Sequence, residues 1–141
     1  MPKKEQSILS LCYLLFALAI IGNQFKLEDS PFKWLSLAVI VLSAVTVYWL
    51  RSRSQSLLLR IHSSYFLKTF WMYLLGTVLL VIFSISMIMI GVYTDSSRLM
   101  AYTTITAMIL LVILYLWSFY RAIKGLVQIR RLQEVNPKSW L

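Results

Sequence analysis

The sequence has little of what most catalytic and metal sites are made from. It contains one cysteine, one histidine and five acidic residues among 141. A single cysteine excludes an intramolecular disulfide and a thiolate metal cluster. One histidine is too few for a haem with two axial histidines or for a histidine-rich zinc site. The four glycines form no phosphate-binding loop. We therefore predict a protein that is not an enzyme and that holds no metal or cofactor.

Charge is also scarce. Charged residues make up 13% of the chain and hydrophobic residues 60%, whereas an ordinary soluble domain carries about 25% charged residues. Too little polar surface exists to coat a soluble protein of this length. We predict one membrane domain over residues 1–141.

Four continuous apolar runs are long enough for helices that cross about 30 Å of hydrocarbon. None of them alternates between apolar and polar residues as a barrel strand would. The predicted spans are about residues 8–25, 34–50, 69–93 and 99–120. Trp34, Trp49, Trp71 and Trp117 fall near predicted span ends, where indole rings rest at headgroup level. The predicted fold is an all-α membrane protein with four transmembrane helices in one bundle.

The basic residues predict the orientation of these helices. Eleven of the fourteen Lys and Arg residues fall in segments 1–7, 51–68 and 121–141. The segments on the other side hold Lys26, Lys33 and Arg98. Because loops rich in Lys and Arg stay in the cytoplasm, we expect the three basic segments, and with them both termini, to be cytoplasmic.

The first span has some features of a secretory signal. Lys3 and Lys4 precede an apolar stretch with small residues at 17–19. The apolar run continues through Ile20 and Ile21, so we expect a helix that is retained.

The interior of the spans argues against ion-coupled transport. No Asp, Glu, Lys, Arg or His falls in the central part of any predicted span, although such residues mark most proton relays and ion pathways. A passive channel would also need more polar residues along the spans.

Two cytoplasmic segments have amphipathic helical spacing, which predicts interfacial helices. In the segment between helices 2 and 3, the apolar face consists of Leu57, Leu58, Ile61 and Tyr65. Arg60 and Ser63 lie on the opposite face. After helix 4, a polar stripe consists of Arg121, Lys124, Gln128 and Arg131, opposite Ile123, Leu126 and Val127. One interpretation is that these segments form a docking surface for an acidic lipid or an acidic partner. The other is that they only determine the topology and contact lipid.

His62 has two interpretations. Titration near neutral pH would make it a switch. Alternatively, it lies at the interface and hydrogen-bonds a headgroup or a backbone carbonyl.

A group of residues at the cytoplasmic boundary resembles a known family. His62 is followed by Lys68-Thr69-Phe70-Trp71 at the start of the third span, and Trp117 to Gly125 leave the fourth. This order is similar to that of a family of small bacterial four-span inner-membrane proteins of unknown function. The family is distantly grouped with the chloroplast inner-envelope import component of the Tic machinery. The match covers about residues 60–132 and departs in the tail, where 135–138 replaces an acidic-Gly-basic-Pro turn.

The resemblance implies a multi-pass protein of the bacterial inner membrane with no known catalytic activity. The candidate interaction or lipid-contact residues are Arg60, His62, Lys68, Thr69, Phe70, Trp71, Tyr120, Arg121, Lys124 and Gly125. Among them, Trp71 and Tyr120 would anchor helix ends, Arg121 would bind a phosphate or a carbonyl, and Gly125 would allow the middle segment to approach. We expect these residues to hold the two amphipathic segments together.

Three function classes remain. The first is a non-enzymatic interaction or assembly subunit that works through a basic cytoplasmic face. The second is an immunity protein against a pore-forming or membrane-targeted toxin, and the third is a passive channel or translocation component. The expected partners are anionic lipid headgroups and another membrane protein or a second copy of the chain, and not nucleic acid.

Overall fold

The chain folds into four long α-helices. The computed structural model describes residues 3–22 and 32–131, with side chains described from residue 34 onward in the second range. The helices are α1 (Lys3–Gly22), α2 (Phe32–Arg53), α3 (Leu57–Tyr93) and α4 (Ser97–Arg130), and these ranges contain no strand. Each helix is long and apolar enough to cross a membrane. The prediction of an all-helical chain with four long apolar helices is confirmed.

The helices extend beyond the predicted spans. α3 begins at Leu57 rather than near residue 69, and α4 continues to Arg130 rather than ending near residue 120. No glycine or proline interrupts residues 57–68, so nothing in the backbone breaks the helix there. Residues 23–25 of the first predicted span, and residues 1–2 and 132–141 of the predicted cytoplasmic segments, lie outside the described residues.

The two segments predicted as interfacial helices are parts of longer helices. Residues 57–68 form the first turns of α3, and residues 121–130 form the last turns of α4. With 37 residues, α3 is about 56 Å long at 1.5 Å per residue. A hydrocarbon layer is about 30 Å thick, so α3 is long enough to cross such a layer and to continue for several turns outside it.

Burial does not divide these turns into the predicted apolar and polar faces. Leu57 is 70% exposed, whereas Ser63, placed on the polar face, is fully buried. In α4, Ile123 and Val127 are exposed, and Arg121 is fully buried. Tyr65, placed on the apolar face, is fully buried, as are Leu59 and Ile129, so aliphatic, aromatic and polar side chains all contribute to the buried side of these turns.

The chain divides into two compact units. The first, which we call the core unit, comprises residues 1–70 and 118–141, and therefore α1, α2, the start of α3 and the end of α4. The second, which we call the hairpin unit, comprises residues 71–117.

The core unit is packed around aromatic rings. Phe66 of α3 meets two rings of α1 edge-on, with ring centroids 5.0 Å from Tyr13 and 5.2 Å from Phe16. The Gln6 side-chain amide donates a hydrogen bond of 3.0 Å to the carbonyl of Ile129. This bond satisfies one of the last carbonyls of α4, which have no partner within the helix.

The hairpin unit consists of two antiparallel helix segments. Gly76 faces the side chain of Leu114, and Gly91 faces that of Met100. Near the open end, the rings of Tyr73 and Tyr115 lie 5.8 Å apart. Most other side chains of this unit point away from its own helices.

A tight turn joins the two segments of the hairpin unit. Asp95 adopts a left-handed conformation with φ of 48°. Around it, the amide of Ser96 bonds the carbonyl of Gly91 (3.0 Å), and the amide of Asp95 bonds that of Val92 (3.3 Å). This is the Schellman pattern that ends many helices. The Ser96 hydroxyl then accepts a hydrogen bond from the Leu99 amide (3.3 Å) and so caps the start of α4.

Candidate functional site

Arg121 lies at the centre of the core unit and is 0% exposed. Its Nε donates a hydrogen bond of 3.0 Å to Thr69 Oγ1, and its guanidinium carbon lies 4.1 Å from the centroid of the Tyr65 ring. Thr69 donates its own hydroxyl proton to the carbonyl of Tyr65 at 2.9 Å. The threonine oxygen is therefore oriented to accept from arginine. These contacts connect the end of α4 to the start of α3.

Tyr13 connects α1 to the same two helices. Its hydroxyl donates a hydrogen bond of 3.0 Å to the carbonyl of His62 in α3. Its ring also lies directly against Gly125 of α4, where an added Cβ would come within 2.6 Å of Tyr13 Cζ. Since ordinary carbon contacts are about 3.5–4.0 Å, only glycine fits this position without movement. We call Tyr13, Tyr65, Thr69 and Arg121 the arginine cluster.

The surroundings of the arginine cluster are polar but contain no buried carboxylate in the described part of the chain. His62, Ser63 and Ser118 of the core unit are each 0% exposed. Arg121 thus places its charge in a protein interior, where hydroxyl groups and aromatic faces stabilise it. Such an arrangement favours arginine over lysine, because a planar guanidinium can hydrogen-bond and stack at once.

The predicted site residues divide by exposure. Arg60, Trp71 and Tyr120 are exposed, and Lys68 and Lys124 are half-buried. The buried ones are His62, Thr69, Phe70, Arg121 and Gly125. The structure brings Thr69 and Arg121 into a hydrogen bond, and it places Lys124 Nζ 5.6 Å from the centroid of the Tyr120 ring.

The neighbour of Gly125 differs from the expected one. Gly125 approaches Tyr13 of α1 rather than the segment between helices 2 and 3. The contacts of Arg121 include a hydroxyl and an aromatic ring, and the expected contact with a phosphate or a carbonyl stays a prediction.

The sequence patterns did not single out three aromatic residues of the core unit, which are Tyr13, Phe16 and Phe66; they placed Tyr65 on an apolar face but did not indicate its contact with Arg121. Tyr13 and Phe16 are three residues apart, a spacing that puts both on one helix face. That spacing was the available signal, but apolar runs as long as α1 hide it. Ser118 is also buried, and no pattern in the sequence indicated this.

A second polar site lies where α2 ends and α3 begins. A depression of about 450 Å³ is lined by Tyr48, Arg51, Ser52, Ser54 and Arg60, and we call it the arginine depression. Both of its arginines are exposed. Nearby, the guanidinium of Arg53 lies over the ring of Trp49, 4.5 Å from its centroid.

The hairpin unit has a groove of about 290 Å³, but its chemistry is apolar. Ser84, Thr103 and Thr104 are the polar residues of its lining. Each donates its hydroxyl proton to the carbonyl four residues earlier in its own helix, at 2.8–2.9 Å. The groove therefore offers aliphatic surface to whatever lies against it.

The arginine cluster, the arginine depression and the groove do not have the composition of a metal centre. Within residues 3–22 and 32–131, no three His, Cys, Asp or Glu residues are grouped so that they could hold an ion. Comparisons of the chain with protein-family models, curated proteins and solved structures found no match.

Proposed function

We propose that this protein is a non-enzymatic subunit of the bacterial inner membrane that works in interaction or assembly through a basic cytoplasmic face. In this proposal the four helices form one bundle with both termini in the cytoplasm. The distribution of Lys and Arg along the chain supports the orientation. The resemblance of residues 60–132 to small four-span inner-membrane proteins supports the class.

The exposure of the basic side chains carries the proposal. Among the described Lys and Arg residues, all except Arg98 belong to the core unit. Those with exposed side chains are Lys3, Lys4, Arg51, Arg53, Arg60, Arg130 and Arg131. Charges of one sign held on folded helices attract acidic surfaces and orient their approach.

The interior of the core unit suits an assembly role. The arginine cluster and the Tyr13–Gly125 contact join α1, α3 and α4 through side-chain contacts. A packed interior of this kind keeps exposed cations at defined positions, which lowers the entropy lost when a partner binds.

The first turns of α3 and the last turns of α4 fit the headgroup region. Trp71 is 55% exposed and Tyr120 is 52% exposed, and exposed aromatic rings of this kind prefer the membrane interface. We place residues 57–68 and 121–130 at that depth, on the cytoplasmic side.

Two experiments test the proposal. Reporters fused to the N-terminus and after Leu141 should be active only in the cytoplasm; activity outside it would overturn the orientation. Full-length protein should then be purified in a mild detergent as the wild type, as R51Q/R53Q/R60Q and as the control R98Q.

We expect a defined partner to accompany the wild type and R98Q, and to be lost from the triple variant. Thermal unfolding of the three proteins should be alike, because the altered side chains are exposed. A partner retained equally by all three would contradict a role for the basic face.

A further inference from the structure

We propose that the arginine depression binds the phosphate group of an anionic phospholipid. The inference rests on the proposed function in one respect, since it requires the basic face to lie at the cytoplasmic headgroup level. It adds a ligand class and a site: a lipid phosphodiester bound between the end of α2 and the start of α3.

The two arginines of the depression are available for an anion. Arg51 comes from the last turn of α2 and Arg60 from the first turn of α3. Within the described residues, neither side chain forms a hydrogen bond or an ion pair. A guanidinium presents two parallel N–H groups that match phosphate oxygens. Two such groups around one depression form an anion site built from two helices.

The two serines of the depression are already engaged. Ser52 Oγ donates to the carbonyl of Trp49 at 2.8 Å, and Ser54 Oγ donates to Glu5 Oε2 at 3.0 Å. Glu5 is the one carboxylate seen at this site in the described part of the chain. Arg51, Arg60 and the neighbouring Arg53 outnumber it, so the local charge favours an anion and disfavours a cation.

The walls around the depression favour a lipid over a soluble anion. Tyr48 lines it and is 67% exposed. Val41 and Val45 precede Tyr48 on the same face of α2 at helical spacing, and both are exposed. An anionic amphiphile satisfies both surfaces, because its phosphate meets the arginines while an acyl chain lies along the valines. An acidic peptide would leave this apolar strip uncovered.

Native mass spectrometry of the full-length protein in detergent tests the site. The probes are phosphatidylglycerol and phosphatidylcholine with the same acyl chains, and the proteins are the wild type, R51Q/R60Q and the charge-matched control R130Q/R131Q. We expect R51Q/R60Q to lose about tenfold or more in phosphatidylglycerol affinity, as the loss of two charge-assisted contacts implies. The control should stay within about twofold, because Arg130 and Arg131 do not line the depression.

Two further measurements test the arginine geometry and distinguish a lipid phosphate from a soluble anion. R51K/R60K keeps the charge but not the paired N–H groups, so its affinity should fall between those of the wild type and R51Q/R60Q. Inorganic phosphate and a polyglutamate peptide are added alone to lipid-free protein. Binding of either with the same arginine dependence, in place of phosphatidylglycerol, would overturn the lipid assignment.

Other outcomes also decide the matter. Equal losses in R51Q/R60Q and R130Q/R131Q, or equal affinity for the two lipids, would show general charge attraction and overturn a defined site. If that happens while the partner of the wild type is still lost from R51Q/R53Q/R60Q, this inference fails and the proposed function stands. If the lipid binds as expected but no partner depends on those arginines, the interaction role fails instead.

Discussion

The core unit and the hairpin unit share two helices but are built differently. In α3, most residues from Leu59 to Phe70 are buried, and most residues from Trp71 to Tyr93 are exposed. The exposed part contains no charged residue and no histidine, whereas the packed part contains Arg60, His62 and Lys68. In α3, the charged residues and the histidine therefore belong to the packed segment, and the exposed segment is the more uniformly apolar.

A bilayer around the helices would explain this difference, and each of the four helices is long and apolar enough to cross one. Lipid chains are as apolar as leucine, so an aliphatic residue gains little by leaving lipid for protein. A polar or charged side chain gains more, because only protein, water or headgroups satisfy it. The interior of the core unit is accordingly held by directional contacts, and the hairpin unit by close approach at Gly76 and Gly91.

The largest difference in stability between the core unit and the hairpin unit is expected at the aromatic packing of the core unit. Phe66→Ala should lower the free energy of unfolding by about 3 kcal/mol, since it leaves a cavity between two rings of α1. Leu79→Ala in the hairpin unit removes a side chain that is exposed and should cost less than about 0.5 kcal/mol. Unfolding in mixed SDS micelles measures both. Similar costs for the two variants would contradict the contrast between the units.

The arginine cluster provides the next test. Arg121→Lys should lower the free energy of unfolding by about 2 kcal/mol, because lysine cannot both reach Thr69 and stack on Tyr65. Arg130→Lys, at an exposed position, is the control and should have almost no effect. Thr69→Val combined with Arg121→Lys should cost less than the sum of the single variants. Strict additivity would show that the hydrogen bond contributes nothing.

Glycine positions sharpen the comparison further. Gly125→Ala should destabilise by about 1–3 kcal/mol, because the new methyl group overlaps the ring of Tyr13. Gly76→Ala should cost less, since its neighbour is the end of a leucine side chain that can rotate. Gly22→Ala, where no other part of the described chain comes within 4 Å of an added Cβ, should be neutral or slightly stabilising. The ranking by thermal unfolding in detergent is the readout, and a reversed order of 125 and 76 would refute it.

The smallest expected effect concerns the turn of the hairpin unit. Asp95→Gly should stabilise by about 0.5 kcal/mol, because glycine adopts a positive φ without strain. Asp95→Val should destabilise by about 1 kcal/mol or more for the opposite reason. Amide hydrogen exchange near residues 91–96 should report both changes. Equal exchange in the two variants would mean that the turn contributes nothing to local stability.

Much of the fold could be predicted from the sequence, because long apolar runs determine helices in a bilayer almost alone. The start of α3 and the end of α4 could not be predicted. The composition changes from apolar to amphipathic near Lys68 and Tyr120, and such a change does not break a helix. The family resemblance singled out Thr69, Arg121 and Gly125, but as residues of a surface. Their burial depends on Tyr13 and Tyr65, and no local pattern shows which side of a helix a distant partner covers.

The position of Arg121 in the chain has a consequence for how the protein is made. Tyr13, Tyr65 and Thr69 emerge from the ribosome before the segment that carries Arg121 and Gly125. Until that segment arrives, Thr69 and the ring of Tyr65 lack the guanidinium that they contact in the folded protein. The contacts of the arginine cluster therefore form only once the last helix has been made.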